Sequence, residues 1–205
     1  MEGHTTVTRL RHTVLLLSGI CSAAGNVRDM QPIPDGTVRS GTLSFDGRAT
    51  MGDFTGTTTT LSGAMTGGTT LAAVRGWVEA PVRTLVTGNS HRDRDLNQSM
   101  ESDKYPTIRY ELGGVIPGEA RGDTVAVILQ GDFLIHGVKQ HAEIPATVVF
   151  LDDGVRVRGD VPLNLKSYRI GGLTKMLGML RMNEEIVVHL DLTFGSAPTA
   201  RGPQP

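Results

Sequence analysis

The stretch "VAVILQGDFLIHGVKQHAEIPATVVFLDDGVRVRGDVPL", Val125 to Leu163, decides the class of the fold. Val125, Val127, Leu129, Phe133 and Ile135 share one phase, and Gln130, Asp132 and His136 oppose them. Successive side chains of a strand point to opposite faces, so this period of two predicts a strand with one apolar face. A turn from Gly137 to Ala142 returns the chain into Ile144, Ala146, Val148 and Phe150. Asp153-Gly154 supplies a second turn, after which Val155, Val157, Val161, Leu163 and Leu165 alternate with Arg156, Arg158, Asp160 and Asn164. Connections this short join antiparallel neighbours.

The same rhythm extends in both directions. Leu43 and Phe45 share a face opposite Thr42, Ser44 and Asp46, and a strand starts near Phe54 and runs into the threonines Thr57 to Thr60. Val74, Val78, Ala80 and Val82 alternate with Arg75, Trp77, Glu79 and Pro81. After Pro106, Ile108, Tyr110 and Leu112 oppose Thr107, Arg109 and Glu111. The last strand sets Ile186, Val188, Leu190, Leu192 and Phe194 against His189, Asp191 and Thr193. Short alternating segments punctuated by Gly, Asp and Asn predict an all-β barrel or sandwich, and the 26 glycines of the 205 residues suit a turn-rich chain.

Two segments break the pattern. His91 to Met100 follows Asn89-Ser90, a serviceable N-cap, and Leu96 and Met100 fall at i and i+4, which predicts one or two helical turns. Leu173, Met176, Leu177 and Leu180 fit a second helical stripe, although Gly178 weakens it by about 1 kcal/mol. At the N-terminus, Arg9, Arg11 and His12 precede a short apolar run from Val14 to Ile20 and the small residues Ser22, Ala23 and Ala24. That is the pattern of a cleaved signal peptide over 1–24, with periplasmic or secreted location as the expectation and acylation at Cys21 as the alternative. Residues 25–40 read as a linker, 41–196 as the barrel domain and 197–205 as a disordered tail.

A formal charge of −1 gives no footprint for nucleic acid. The apolar run is too short for stable insertion in a membrane as a helix. The chain has no G-x-S-x-G elbow, P-loop or G-x-G-x-x-G after a strand. His136 and His141 flank a turn without a third ligand at a telling distance, so they read as rim or surface residues and no metal is expected. Asp152-Asp153-Gly154 lacks the later ligands of a calcium loop. Arg92, Asp93, Arg94 and Asp95 read as a solvated, mutually paired helix surface, and no residue is expected to be catalytic.

Three stretches carry a resemblance to a family: "TGNSHRDRDLNQSMESDKYPTIRYEL", "GDFLIHGVKQHAEIPATVVF" and "NLKSYRIGGLTKMLGMLRMNEEIVVHLDLTF". In order and spacing they resemble the YceI-like family of lipocalin-like proteins that bind polyisoprenoid lipids. Arg48-Ala49-Thr50 stands where many members carry a histidine, and Met100 where an aromatic residue is usual. The resemblance implies an eight-stranded antiparallel, lipocalin-like barrel with an apolar interior and one or two short helical segments. It also implies non-catalytic binding, sequestration or transport of an isoprenoid lipid or isoprenoid quinone, without a cofactor and with a homodimer left open. A chain with one Trp and five Phe is poor in bulk to fill such an interior. In that barrel Phe45, Val78, Ile108, Tyr110, Phe133, Ile135, Ile144, Val148 and Leu163 would contact the ligand. Leu173, Met176, Leu177 and Leu180 would cap it, and Arg92 or Tyr168 would stand near a headgroup. The rival readings are a metal-dependent enzyme using the rim histidines and an interaction barrel with a filled core.

Overall fold

The computed structural model describes residues 33–50, 52–171, 174–175 and 180–196. Its strands are β1 (Gly36–Gly47), β2 (Phe54–Thr58), β3 (Ser62–Thr66), β4 (Arg75–Pro81), β5 (Thr107–Arg121), β6 (Thr124–Ile135), β7 (Val138–Leu151), β8 (Gly154–Asn164), β9 (Thr174–Lys175), β10 (Leu180–Arg181) and β11 (Glu185–Ser196). One helix, α1 (Ser90–Ser99), lies between β4 and β5, and short 3-10 turns occupy Leu71–Ala73, Val82–Thr84 and Leu165–Tyr168.

The hydrogen-bonded order is β11-β8-β7-β6-β5-β4-β3-β1-β2, and β11 also pairs with β1. The sheet therefore closes on itself as an eight-stranded antiparallel barrel with β2 as an extra strand. Closure is extensive on one side of β1, whose partners on β11 run from Gly36 opposite Ser196 to Asp46 opposite Val187. On its other side β1 is shared. β3 pairs with its start at Gly36 and Thr37, and β2 with its end from Leu43 to Gly47. At the upper end β2 pairs only with β1 and bridges Val86 through Thr57, while the buried Thr58 hydroxyl meets that of Thr84 at 2.7 Å.

The expected phases hold. In β6, Val125, Val127, Leu129, Phe133 and Ile135 are all buried, and Ile144, Ala146 and Val148 answer them from β7. Trp77 stays on the outer side, where the Arg109 guanidinium lies 4.3 Å from its ring centroid. Two expectations need correction. The sheet starts at Gly36 within the stretch expected as linker, because backbone pairing on both edges forms a strand that has little apolar alternation to announce it. The apolar stripe after Ile170 is not helical where it is described: β9 and β10 form a small antiparallel hairpin, with Leu180 opposite Lys175. A short stripe interrupted by Gly178 lacks the length and propensity to offset helix nucleation. Leu173, Met176 and Leu177 lie outside the described residues, as do 1–24 with Cys21, the rest of the linker before Ile33, and the tail 197–205. Among the described residues, no helix is long and apolar enough to cross a membrane.

One outer contact ties the closing strands together. His189 on β11 is bonded through Nδ1 to Asp160 of β8 at 2.6 Å and through Nε2 to Asp46 of β1 at 3.1 Å. Both partners accept, so the doubly protonated ring satisfies both, and the bond to Asp160 is the main cause that raises the imidazole pKa above its ordinary value. The Thr55 hydroxyl, followed by His189, holds the Asp46 carboxyl below the usual range.

Gly131 tests the wall: a Cβ there would sit 2.2 Å from the Glu111 carbonyl and 2.7 Å from the Tyr110 hydroxyl. Gly131→Ala is expected to cost about 2–3 kcal/mol in urea unfolding, and a change below about 0.5 kcal/mol would contradict this packing. His189→Asn is expected to lower stability by about 0.5–1 kcal/mol, the range for an exposed ion pair. The loss should be full below about pH 6.5 and fade as pH rises through the higher folded-state value. Unfolding curves between pH 5 and 9 test that sign.

Candidate functional site

Closing eight strands fixes a radius, and the inward side chains of this chain leave it partly empty. A cavity of about 590 Å³ runs the length of the barrel, within the range of roughly 300–1,000 Å³ typical of ligand pockets. Ile33, Leu71 and Val74 line its lower end, where β1 starts and β3 passes to β4. Phe45, Val78, Ile108, Tyr110, Phe133 and Ile135 line its middle and upper wall. β-Branched residues and leucines dominate the rest, among them Val148, Val157, Leu163, Val188 and Leu192.

α1 lies across the upper end. Arg92, Asp95, Leu96 and Ser99 line the cavity at spacings i, i+3, i+4 and i+7, followed by Met100, so one helix face grades from polar to apolar. The helix starts where it does because Asn89 Oδ1 accepts from the backbone N–H groups of His91 and Arg92 at 3.0 and 3.2 Å. The charges expected to pair with one another mostly bond elsewhere. Asp93 accepts from the Thr87 backbone N–H and hydroxyl at 2.8 and 2.6 Å. Arg94 donates to His91 Nδ1 at 2.7 Å, and the Arg92 guanidinium sits 4.3 Å from the Phe54 ring centroid. The capping and Thr87 bonds make the helix start a braced structure, and the face of α1 turned to the cavity frees Arg92 from the solvated surface expected for it.

Of the residues singled out in the sequence, Phe45, Val78, Ile108, Tyr110, Phe133, Ile135, Val148, Leu163 and Arg92 line this one cavity. Ile144 has the right phase but is sealed within the wall packing, with no exposed surface and no share of the lining. Tyr168 is buried outside the cavity, and burial raises its phenol pKa. Leu180 lies on β10, while Leu173, Met176 and Leu177 fall outside the described residues. The lining also includes residues that no periodicity selects, such as Leu85 and Ile170. They come from connections, where strand periodicity gives no signal.

His136 is a further correction, since it is buried and not on the rim. Its left-handed φ of 52° turns it out of the strand phase. Nδ1 meets the Tyr168 carbonyl at 3.0 Å, Nε2 meets Glu101 at 3.2 Å, and the ring packs 4.5 Å from that of Tyr105. The residue thus joins the β6–β7 turn to the end of α1 and to the 3-10 turn after β8. His141 stays outside, paired with Asp132 at 3.1 Å beside Lys139. Among the described residues, no group of three or more His, Cys, Asp and Glu could hold a metal ion. Inside, the Tyr110 hydroxyl donates to the Leu129 carbonyl at 3.2 Å, and burial, with the Asp132 charge second, pushes the phenol pKa up. The interior therefore offers apolar surface and a polar mouth, with no nucleophile–base pair among the residues described.

Comparison with known proteins agrees with this geometry. BcnA of Burkholderia cenocepacia superimposes with a TM-score of 0.60 at 13% identity, over 75% of this chain and 95% of that one. A polyisoprenoid-binding domain from Saccharophagus degradans, implicated in plant cell wall breakdown, superimposes with a TM-score of 0.63 at 15% identity, over 80% of this chain and 99% of that one. At such identities the likeness concerns the fold. No curated protein matches the chain. The sequence pattern of the YceI-like domain matches residues 36–194, from the first residue of β1 to two residues before the end of β11, and the chain belongs to the YceI-like family.

Proposed function

We propose that the protein binds, sequesters or carries an isoprenoid lipid, a polyisoprenoid or an isoprenoid quinone, without catalysing a reaction. The observation that carries this reading is the continuous apolar cavity of about 590 Å³ inside a closed wall. A slender, branched hydrocarbon chain matches its apolar lining. At about 0.8 kcal/mol per buried CH₂, a chain of roughly twenty carbons gains on the order of 16 kcal/mol before ordering and association costs. Useful affinity needs a fraction of that. Ligand contact falls to the inward residues, including Phe45, Ile108, Phe133, Ile135, Val148 and Leu163. The family relationship and the polyisoprenoid binding of the Saccharophagus degradans domain support the same assignment. Export to the periplasm or the medium remains part of the proposal, on the N-terminal pattern of the sequence.

Thermal unfolding with added isoprenoid quinone tests the reading, because only a ligand that favours the folded state raises its stability. At about a hundredfold excess over Kd the gain is about 2.7 kcal/mol, which corresponds to a Tm shift on the order of 5–10 °C for a domain of this size. Val148→Trp, which places an indole in the cavity, is expected to remove most of that shift while costing about 1–3 kcal/mol in the unliganded protein. Ile135→Arg should abolish loading where it folds. An unchanged Tm in the unaltered protein, or an undiminished shift in the folded Val148→Trp protein, would contradict the proposal.

A further inference from the structure

We infer that Arg92 recognises the headgroup of the bound lipid, so that the natural ligand carries a hydrogen-bond-accepting oxygen, as a carbonyl or a phosphate, at the end held in the mouth. The inference rests on the isoprenoid reading and specifies which end of the ligand the site reads. Arg92 is half-buried on the inner face of α1 and lines the upper end of the cavity. Among the described residues no carboxylate forms an ion pair with it; its charged group contacts the Phe54 ring at 4.3 Å. That contact uses the charge of the guanidinium but not its N–H donors. A guanidinium has five donors and cannot be neutralised by losing a proton, so donors closed off from water by a ligand require acceptors from that ligand.

The neighbouring groups narrow the assignment to side chains. The first backbone N–H groups of α1 are already taken by Asn89, so the helix start offers those donors to no ligand. His91, which also lines the mouth, receives a bond from Arg94 at Nδ1. Arginine only donates, so His91 Nδ1 is the acceptor of that bond and is taken for a ligand. Asp95 and Ser99 complete the polar rim, one and two turns further along the same face. Below them Leu96 and Met100 begin the apolar lining, which orients the ligand with its tail inward.

The test uses three probes with one common chain, namely farnesane, a farnesylated benzoquinone and farnesyl monophosphate, each competed against a fluorescent lipid probe. At least one of the two headed probes is expected to bind about tenfold or more tightly than the hydrocarbon, the scale of one hydrogen bond to a charged group. Arg92→Ala should reduce that preference to within about threefold, and Arg92→Lys, which keeps the charge but loses the planar fork, should lie between. Whichever headed probe prevails identifies the acceptor as carbonyl or phosphate. Equal binding of farnesane and both headed probes, or a preference that survives Arg92→Ala, would overturn the inference while leaving the isoprenoid reading intact. Failure of all three probes to bind the unaltered protein would remove that reading and the inference with it.

Discussion

Closure of the sheet through the long β1–β11 pairing is the constraint on which the rest of the structure depends. An open sheet could have covered its apolar face with helices, but a closed one has only its own inward side chains with which to fill the interior. The number of strands sets the space, and the sequence sets the volume placed in it. Here valines, leucines and isoleucines supply most of the lining, and the difference between space and volume is the cavity. The wall accordingly has little tolerance where strands lie closest. The Gly131 backbone faces the Tyr110 hydroxyl, whose bond to the Leu129 carbonyl keeps a polar group in the interior satisfied.

The upper end follows from the way β1 divides its free edge between β2 and β3. The Val82–Thr84 turn and α1 follow β4 at that end, with the Thr58 and Thr84 hydroxyls joining β2 to the turn. α1 is held at its start by Asn89 and Thr87, and the segment just beyond its end by Glu101 on His136. Its inner face can therefore present Arg92 above Leu96 and Met100 at fixed height. Buried His136, which satisfies the turns around it, makes the same end of the barrel a single packed corner that includes Tyr105 and Tyr168. The polar chemistry of the protein is thus concentrated at the mouth and on the outer wall, and the apolar chemistry inside.

Much of this was legible in the sequence, for a physical reason. In β6, β7, β8 and β11 inward and outward positions alternate along each strand, so most of the inward set could be named residue by residue. The start of β1 was not legible, because Gly36, Ser40 and Gly41 pair through backbone and carry no apolar side chains to mark a phase. Ile144 shows the limit of phase: it points inward, yet neighbouring side chains seal it away from the cavity. His136 escaped because a left-handed turn residue leaves the alternation of its strand. The stripe through Leu180 suggested a helix because apolar spacing alone cannot separate a short helix from a hairpin of the same composition. Whether the barrel is hollow could be expected from the scarcity of aromatic bulk, but the volume itself depends on closure and only the structure supplies it.

Native mass spectrometry of the purified protein, with organic extraction of whatever it releases, asks whether the cavity holds lipid. A complex of one protein with one isoprenoid is expected, lost on denaturation and identified in the extract. A clean unliganded mass, unchanged after incubation with isoprenoid quinones, would contradict the isoprenoid reading.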